Sequence, residues 1–372
     1  MLLCAPAYEF HKIWDITEKN TLHAAHYRKT RDSPYMKNLY RLPIYLCALC
    51  GLGLIRILPY GALKILARFA ALSVRPAWPL VKLVRANIRT ALPELPEREV
   101  RRIGNESIFH LFYNMLEFVW LAGIPERIER CYYPPPEIRD KVVNFVREGK
   151  RIIFVNPHLG SWEASGMMVP FYGDTEMAAV AKPVSNPYLN KLLNSGNREK
   201  VKGLRIIFSR GAARTAIKLL KAGWSIGLLI DQNTRVRDGG EFIDFFGLPA
   251  ASSLAPAVLK RYCDAHHIPT VLLYGTSIRH ADGRIHATVE ELPRPFEEYA
   301  DDRAVVQEIM NMSERYIRKN PEQYLWLYRR FQHIPPGAPE ELRKRYPYYA
   351  SVPGAKFFRK VKKRPATEPA EK

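Results

Sequence analysis

The residues best suited by type and spacing to do chemistry are His158 and Glu163, inside the run Asn156-Pro157-His158-Leu159-Gly160-Ser161-Trp162-Glu163. An imidazole is the one side chain that exchanges a proton near neutral pH without a perturbed environment. A carboxylate that fixes one ring nitrogen leaves the other free to act as a general base. The spacing restricts how the two meet. On one continuous helix an offset of five residues turns by roughly 500°, so the side chains diverge. They meet only if the histidine sits in a loop and the glutamate on the first turn of the helix that follows. The flanking sequence asks for that arrangement. Arg151-Ile152-Ile153-Phe154-Val155 reads as a buried strand, Pro157 ends it, Ser161 serves as a helix N-cap, and residues 164–171 continue as helix. A helix N-terminus favours an anionic Glu163 and a neutral His158. The competing reading is a loop histidine bonded to backbone beside an N-terminal glutamate, and spacing does not separate the two.

A second polar group follows the apolar run 225–230 at Asp231-Gln232-Asn233. The C-terminal ends of strands are where open α/β sheets hold ligands. Asp231 is therefore either a ligand-side residue or a turn residue closing its strand.

The elements that must position these groups alternate. Strands are expected at Met177–Ala181 and over residues 205–208, 225–230, 269–278 and 284–289. Helices are expected over 190–200, 212–222, 253–265 and 302–318. Before the central stretch, two helices broken at Pro93 and Pro96 occupy residues 80–120, and a short one precedes Gly149. Alternation with short connections predicts an α/β fold with a mostly parallel central sheet flanked by helices. Four segments emerge: a polar N-terminal extension over 1–38, membrane-anchoring or interfacial helices over 39–74, the α/β domain over 75–335, and a basic tail over 336–372.

Residues 42–55 carry no charge, but fourteen residues fall short of the roughly 17–25 needed to span a bilayer. Arg56, Lys64 and Arg68 fall within an arc of about 120°, giving one basic and one apolar face. That pattern fits a helix lying in or partly crossing a membrane, or one packed on its own domain. The net charge of +20 calls for an anionic partner. In the tail, Lys356-Phe357-Phe358-Arg359-Lys360 suits an anionic lipid surface or a solvated end. Five scattered cysteines make no disulfide framework. Cys47 and Cys50 lie in an apolar run and read as small buried hydrophobes. No P-loop, nucleophile elbow, zincin motif, zinc-spaced Cys/His set or nucleic-acid module is present, so neither a cofactor nor a metal is expected, and no nucleic acid.

Several blocks in this order resemble the late acyltransferases of bacterial lipid A biosynthesis, the lauroyl/myristoyl transferase family. They are Arg85-Ala86-Asn87-Ile88-Arg89 with Leu92-Pro93-Glu94-Leu95; Asn156-Pro157-His158 through Glu163; Lys182-Pro183 with Asn186-Pro187; Asp231-Gln232; Phe245-Phe246-Gly247; and Pro321-Glu322-Gln323-Tyr324-Leu325-Trp326 with Arg329-Arg330-Phe331. The likeness covers roughly residues 40–335. It departs where Lys182 replaces an arginine found in many relatives, and in the long extensions at both ends. The resemblance implies a glycerolipid-acyltransferase-like fold with an N-terminal membrane-associated helix, at the cytoplasmic face of the bacterial inner membrane. It implies transfer of a fatty acyl chain from acyl carrier protein to a hydroxyl of a phosphorylated glycolipid, the lipid A precursor. His158 would be the base, oriented by Glu163. Backbone N–H groups near Gly160 or a nearby cation would take the oxyanion. Arg198 would contact substrate or oxyanion, Asp231 would position that arginine or the acceptor, and Lys182 falls at a substrate contact. Acidic carrier protein, phosphorylated acceptor and anionic membrane surface would account for the positive charge. The alternatives are an acyltransferase on another lipid acceptor, such as lysophosphatidate or an aminolipid, and a non-catalytic membrane-binding scaffold.

Overall fold

A computed structural model describes residues 34–121, 124–209 and 211–359. The polar extension before residue 34 and the end of the basic tail, 360–372, lie outside them. Two helices come first, α1 (Pro34–Ile57) and α2 (Tyr60–Val74), separated where Pro59 cannot continue a helix. Then α3 (Trp78–Ala91) and α4 (Glu97–Leu121) flank the Pro93–Pro96 break, as the sequence indicates. Short α5 (Pro125–Cys131) leads into β1 (Tyr132–Tyr133), and α6 (Pro136–Arg147) ends just before Gly149.

The α/β core follows: β2 (Arg151–Val155), α7 (Trp162–Gly173), β3 (Met177–Ala181), α8 (Pro187–Leu193), β4 (Leu204–Phe208), α9 (Ala212–Lys221) and β5 (Ser225–Leu228). After the hairpin β6 (Gly240–Phe245) and β7 (Leu248–Ser253) come α10 (Ala255–Ala265), β8 (Thr270–Arg279), β9 (Ile285–Glu291), α11 (Asp302–Lys319) and α12 (Glu340–Lys344). The central sheet runs β1-β9-β8-β2-β5-β3-β4. Every pairing in it is parallel except β8 with β9. Strands β2 and β5 lie in the middle and are almost wholly buried, which is why both read as unbroken apolar runs rather than alternating ones.

Two local expectations fail and one hairpin goes unforeseen, each for an identifiable reason. Residues 190–200 are not one helix: α8 starts earlier, with Asn186 capping Tyr188 and Leu189 N–H and Pro187 at the first helical position, and a separate 3₁₀ turn holds Arg198–Lys200. Ser161 does not cap α7, because its hydroxyl donates to Glu117 Oε2 instead. The β6–β7 hairpin turns on Phe246 and Gly247, both at positive φ as a two-residue primed turn requires; phenylalanine there gives no sequence cue.

The N-terminal helices are amphipathic on the protein. Leu63, Ala67 and Ala71 of α2 are buried, while Ile65, Phe69 and Leu72 are exposed, as are Leu46, Leu49 and Leu54 of α1. Among the described residues no helix is long and apolar enough to cross a membrane. Two of the three residues on the basic face of these helices bond to the protein. Arg56 donates to Gly196 O and Asn197 Oδ1, and Arg68 pairs with Glu106 over the Phe109 ring. Cys47 and Cys50 are exposed thiols rather than buried hydrophobes; Cys131 and Cys263 are buried. Beyond Phe331 the chain continues to fold onto the domain. Tyr346 donates to Pro249 O, Tyr349 to Asn87 Oδ1, and Phe357 packs against His333.

Candidate active site

Three neighbouring strands deliver the site at one edge of the sheet. His158 follows β2, Asp231 follows β5, and Lys182 follows β3; these strands lie in the order β2-β5-β3 and all run parallel, so their C-terminal ends coincide. The His158 loop is clamped in place by backbone bonds. Its carbonyl accepts from Leu325 N–H, Gly160 N–H donates to Gln323 O, and Ser161 N–H donates to Ser277 O. Gly160 has φ +60, and a Cβ there would sit 1.9 Å from Ser277 O, so only glycine fits.

His158 is 1 % exposed. Its Nδ1 lies 2.6 Å from Asp231 Oδ1, and its backbone N–H donates to Asp231 Oδ2 at 2.9 Å. Burial pushes the Asp231 carboxyl up, but the facing His158, by charge and by both hydrogen bonds, outweighs it and holds the group below its ordinary range. An ionised carboxylate can only accept, so Nδ1 carries the proton and Nε2 keeps the lone pair. Nε2 faces Gln232 Nε2 at 3.2 Å, and the Trp162 ring lies 5.6 Å away, centre to centre.

The carboxylate bonded to the His158 ring is that of Asp231, not that of Glu163. The Glu163 carboxylate forms a two-pronged pair with Arg198: Nε to Oε2 at 3.0 Å and Nη2 to Oε1 at 2.6 Å. Burial raises the Glu163 pKa, but Arg198 outweighs it and brings the group down to about 2. Arg198 Nη1 donates to Asn194 Oδ1, and the guanidinium covers the Phe118 ring. Helical geometry is the reason for the exchange of partners. With Glu163 on the first turn of α7, its side chain projects toward the 3₁₀ turn that carries Arg198, while the histidine faces the neighbouring strand end. Nor are the backbone N–H groups of Gly160 and Ser161 available to an oxyanion, since both are bonded within the protein. Lys182 is exposed, one residue beyond Ala181, which lines the cleft described next.

That cleft is small: about 50 Å³ is open to a water-sized sphere, within about 580 Å³ of empty space that includes the solvent at its mouth. Asn156, Trp162, Glu163 and Arg198 form its polar end, and the rest is apolar, including Met167, Met177, Leu204, Ile206 and Leu229. A largely apolar cleft with a few polar groups in its lining is the kind of site that takes an apolar ligand.

Sequence reading missed the frame beneath the loop. Glu117 of α4 is 0 % exposed and pairs with Arg279 at the end of β8, Nη1 to Oε1 at 2.7 Å and Nη2 to Oε2 at 2.5 Å. Ser161 and Tyr60 both donate to the same carboxylate. A lone acid in the apolar run Phe112–Trp120, and a lone arginine ending an apolar strand, are the signals that a buried pair leaves; they do not say which residues are partners.

The profile of a family described as bacterial lipid A biosynthesis acyltransferase matches residues 34–333, which is most of the chain and includes every block that shapes the cleft. The chain belongs to that family. Among curated relatives, the lipid A biosynthesis lauroyltransferase of Escherichia coli is 26 % identical over 308 residues, 80 % of this chain and 95 % of that one. The palmitoleoyltransferase of the same organism is 25 % identical over 304 residues, 79 % and 94 % of the two chains. Its myristoyltransferase is 25 % identical over 255 residues, 68 % and 75 %. In this member of the lipid A acyltransferase family, residues 334–359 lie beyond the family match yet pack against Asn87 and Pro249 inside it. Asn87 also donates to the carbonyls of Trp326 and Tyr328, so the block around it holds the segment that clamps the His158 loop.

Proposed function

We propose that this protein transfers a fatty acyl chain from acyl carrier protein to a hydroxyl of a phosphorylated lipid A precursor, at the cytoplasmic face of the inner membrane. The observation that carries the reading is a buried His158–Asp231 pair beside an apolar cleft, in a chain of the lipid A acyltransferase family. The donor's acyl chain lies along the cleft with its thioester at the polar end. The acceptor hydroxyl takes the place of the Gln232 amide at His158 Nε2. As the oxygen attacks the thioester carbon, Nε2 takes its proton, and Asp231 stabilises the imidazolium that results. The C–S bond then breaks, and the departing thiolate recovers the proton from His158. One C–O bond replaces one C–S bond, with no covalent acyl-enzyme.

Glu163 acts through Arg198 in this scheme. The pair is a neutral fixture at the polar end that keeps a free carboxylate away from the reacting carbonyl, and Arg198 borders the substrate. Lys182, exposed at the rim, meets acidic groups of the acceptor or the carrier. The exposed face of α1 and α2 lies on the membrane, which is how the enzyme reaches an acceptor that never leaves the lipid phase. The deciding assay supplies purified protein with radiolabelled acyl carrier protein and a tetra-acylated, phosphorylated disaccharide. A penta-acylated product that disappears in His158→Ala is expected; no product, or undiminished product from His158→Ala, defeats the proposal.

A further inference from the structure

Two residues that line the cleft carry side-chain N–H groups with no acceptor among the described residues: Asn156 Nδ2 and Trp162 Nε1. Each belongs to a residue only 4 % exposed. Buried donors are almost always satisfied, so an exception calls for a cause, and a catalytic role is one of the few. The indole nitrogen can only donate, which makes its lack of a partner unambiguous. Both residues flank the base: Asn156 two positions before His158, Trp162 four after it. Trp162 opens α7 with its ring beside the imidazole, packed on Leu111 and Leu325. Asn156 is held at the junction of β2 and β5 by its backbone bond to Leu228 O.

Several groups that could cradle an oxyanion are already spent. The N–H groups of His158, Gly160 and Ser161 go to Asp231, Gln323 and Ser277. The Arg198 nitrogens go to Glu163 and Asn194. We propose that Asn156 Nδ2 and Trp162 Nε1 are the oxyanion donors, bonding the thioester carbonyl oxygen and holding its charge in the tetrahedral intermediate. This rests on the acyl-transfer reading above. As the acceptor oxygen bonds the carbonyl carbon, the C=O π pair moves to the oxygen between the two donors. As the intermediate collapses, that pair re-forms the double bond and the thiolate leaves with the proton from His158. Donors already stripped of water and fixed by packing need no reorganisation when the charge appears, which is where such groups are most effective.

The test compares Trp162→Phe, which keeps a ring and deletes the N–H, with Asn156→Ala and Asn156→Asp, using a saturating acyl carrier protein thioester and the lipid acceptor. Each of the first two is expected to lose about 10²–10³ in kcat, with KM for the donor within about threefold and no fall in thermal midpoint. Asn156→Asp is expected to fall further than Asn156→Ala, because it sets an acceptor against the developing charge. Full kcat in Trp162→Phe and Asn156→Ala, with His158→Ala inactive, overturns this inference alone and leaves the acyl-transfer reading standing. Loss of kcat only in step with loss of thermal midpoint also overturns it. Turnover retained by His158→Ala removes the acyl-transfer reading, and this inference with it.

Discussion

Asp231 grips His158 twice: Oδ1 meets the ring at Nδ1, 2.6 Å away, and Oδ2 takes the backbone N–H of the same residue at 2.9 Å. One carboxylate from the end of β5 therefore fixes the loop after β2, the orientation of the imidazole and its tautomer together.

Asp231→Asn should retain the backbone contact through its amide oxygen while presenting NH₂ to the ring. That forces Nδ1 to accept and places the proton on Nε2, where the base must be bare. A fall of about 10³–10⁴ in kcat is expected, with KM little changed. Steady-state kinetics on the purified variant decide it; a loss under tenfold would show that the ring is oriented by something else.

Glu163 and Arg198 should behave as a pair rather than as two independent groups. Removing one partner of a buried ion pair leaves an uncompensated charge, at a cost of about 3 kcal/mol or more. Glu163→Gln and Arg198→Met should each lower the urea midpoint, and the double variant should lose clearly less than the sum. Additive losses would mean the two-pronged contact is energetically idle.

The same pair sets a pH window. The Glu163 pKa falls from 4.5 in the unfolded chain to about 2 in the fold. The unfolded state then binds more protons between those values, so stability rises with pH across them. The contribution is complete above about pH 4.5 and drains away as the pH falls toward 2. Wild type and Glu163→Gln should therefore differ in stability at pH 6 and converge on acidification toward about pH 3, as read by denaturant titration. A gap that stays constant over that range would contradict the assignment.

Gly160→Ala should be severe. The new Cβ would meet Ser277 O at 1.9 Å, a backbone atom that cannot swing aside, at a φ of +60 that alanine disfavours. Loss of activity with a drop of several degrees in thermal midpoint is expected. A fully active, fully stable variant would mean the loop is not held against β8 as described.

The exposed face of α2 gives a separate prediction. Replacing Ile65, Phe69 and Leu72 together with serine removes apolar side chains that are 74 %, 69 % and 44 % exposed among the described residues. Each such side chain contributes about 1.5–3 kcal/mol when fully buried, so association with anionic phospholipid vesicles should weaken by at least tenfold while the thermal midpoint holds. Unchanged sedimentation with vesicles would remove this face from the membrane.

The sequence by itself determined the elements that local physics controls. Buried parallel strands announce themselves as apolar runs, proline and glycine mark their ends, and the strand–loop–helix around His158 follows from Asn156-Pro157 and the run after Ser161. It also set Asp231 at a strand end and supplied the ordered blocks that carry the family resemblance. It could not determine partnership. Glu163 is five residues from His158 and Asp231 is seventy-three away, yet the distant acid holds the ring, because β2 and β5 are neighbours in the sheet and their C-terminal ends abut. Chain distance misled for the same reason with Ser161, whose hydroxyl turns to Glu117 on α4 rather than to its own helix. Nor did spacing show that Arg56 and Arg68, on the basic face of α1 and α2, bond to Gly196 O and to Glu106. Hydrogen bonds and ion pairs act over about 3 Å, and which side chains come that close is decided by the order of strands and the packing of helices, not by spacing along the chain.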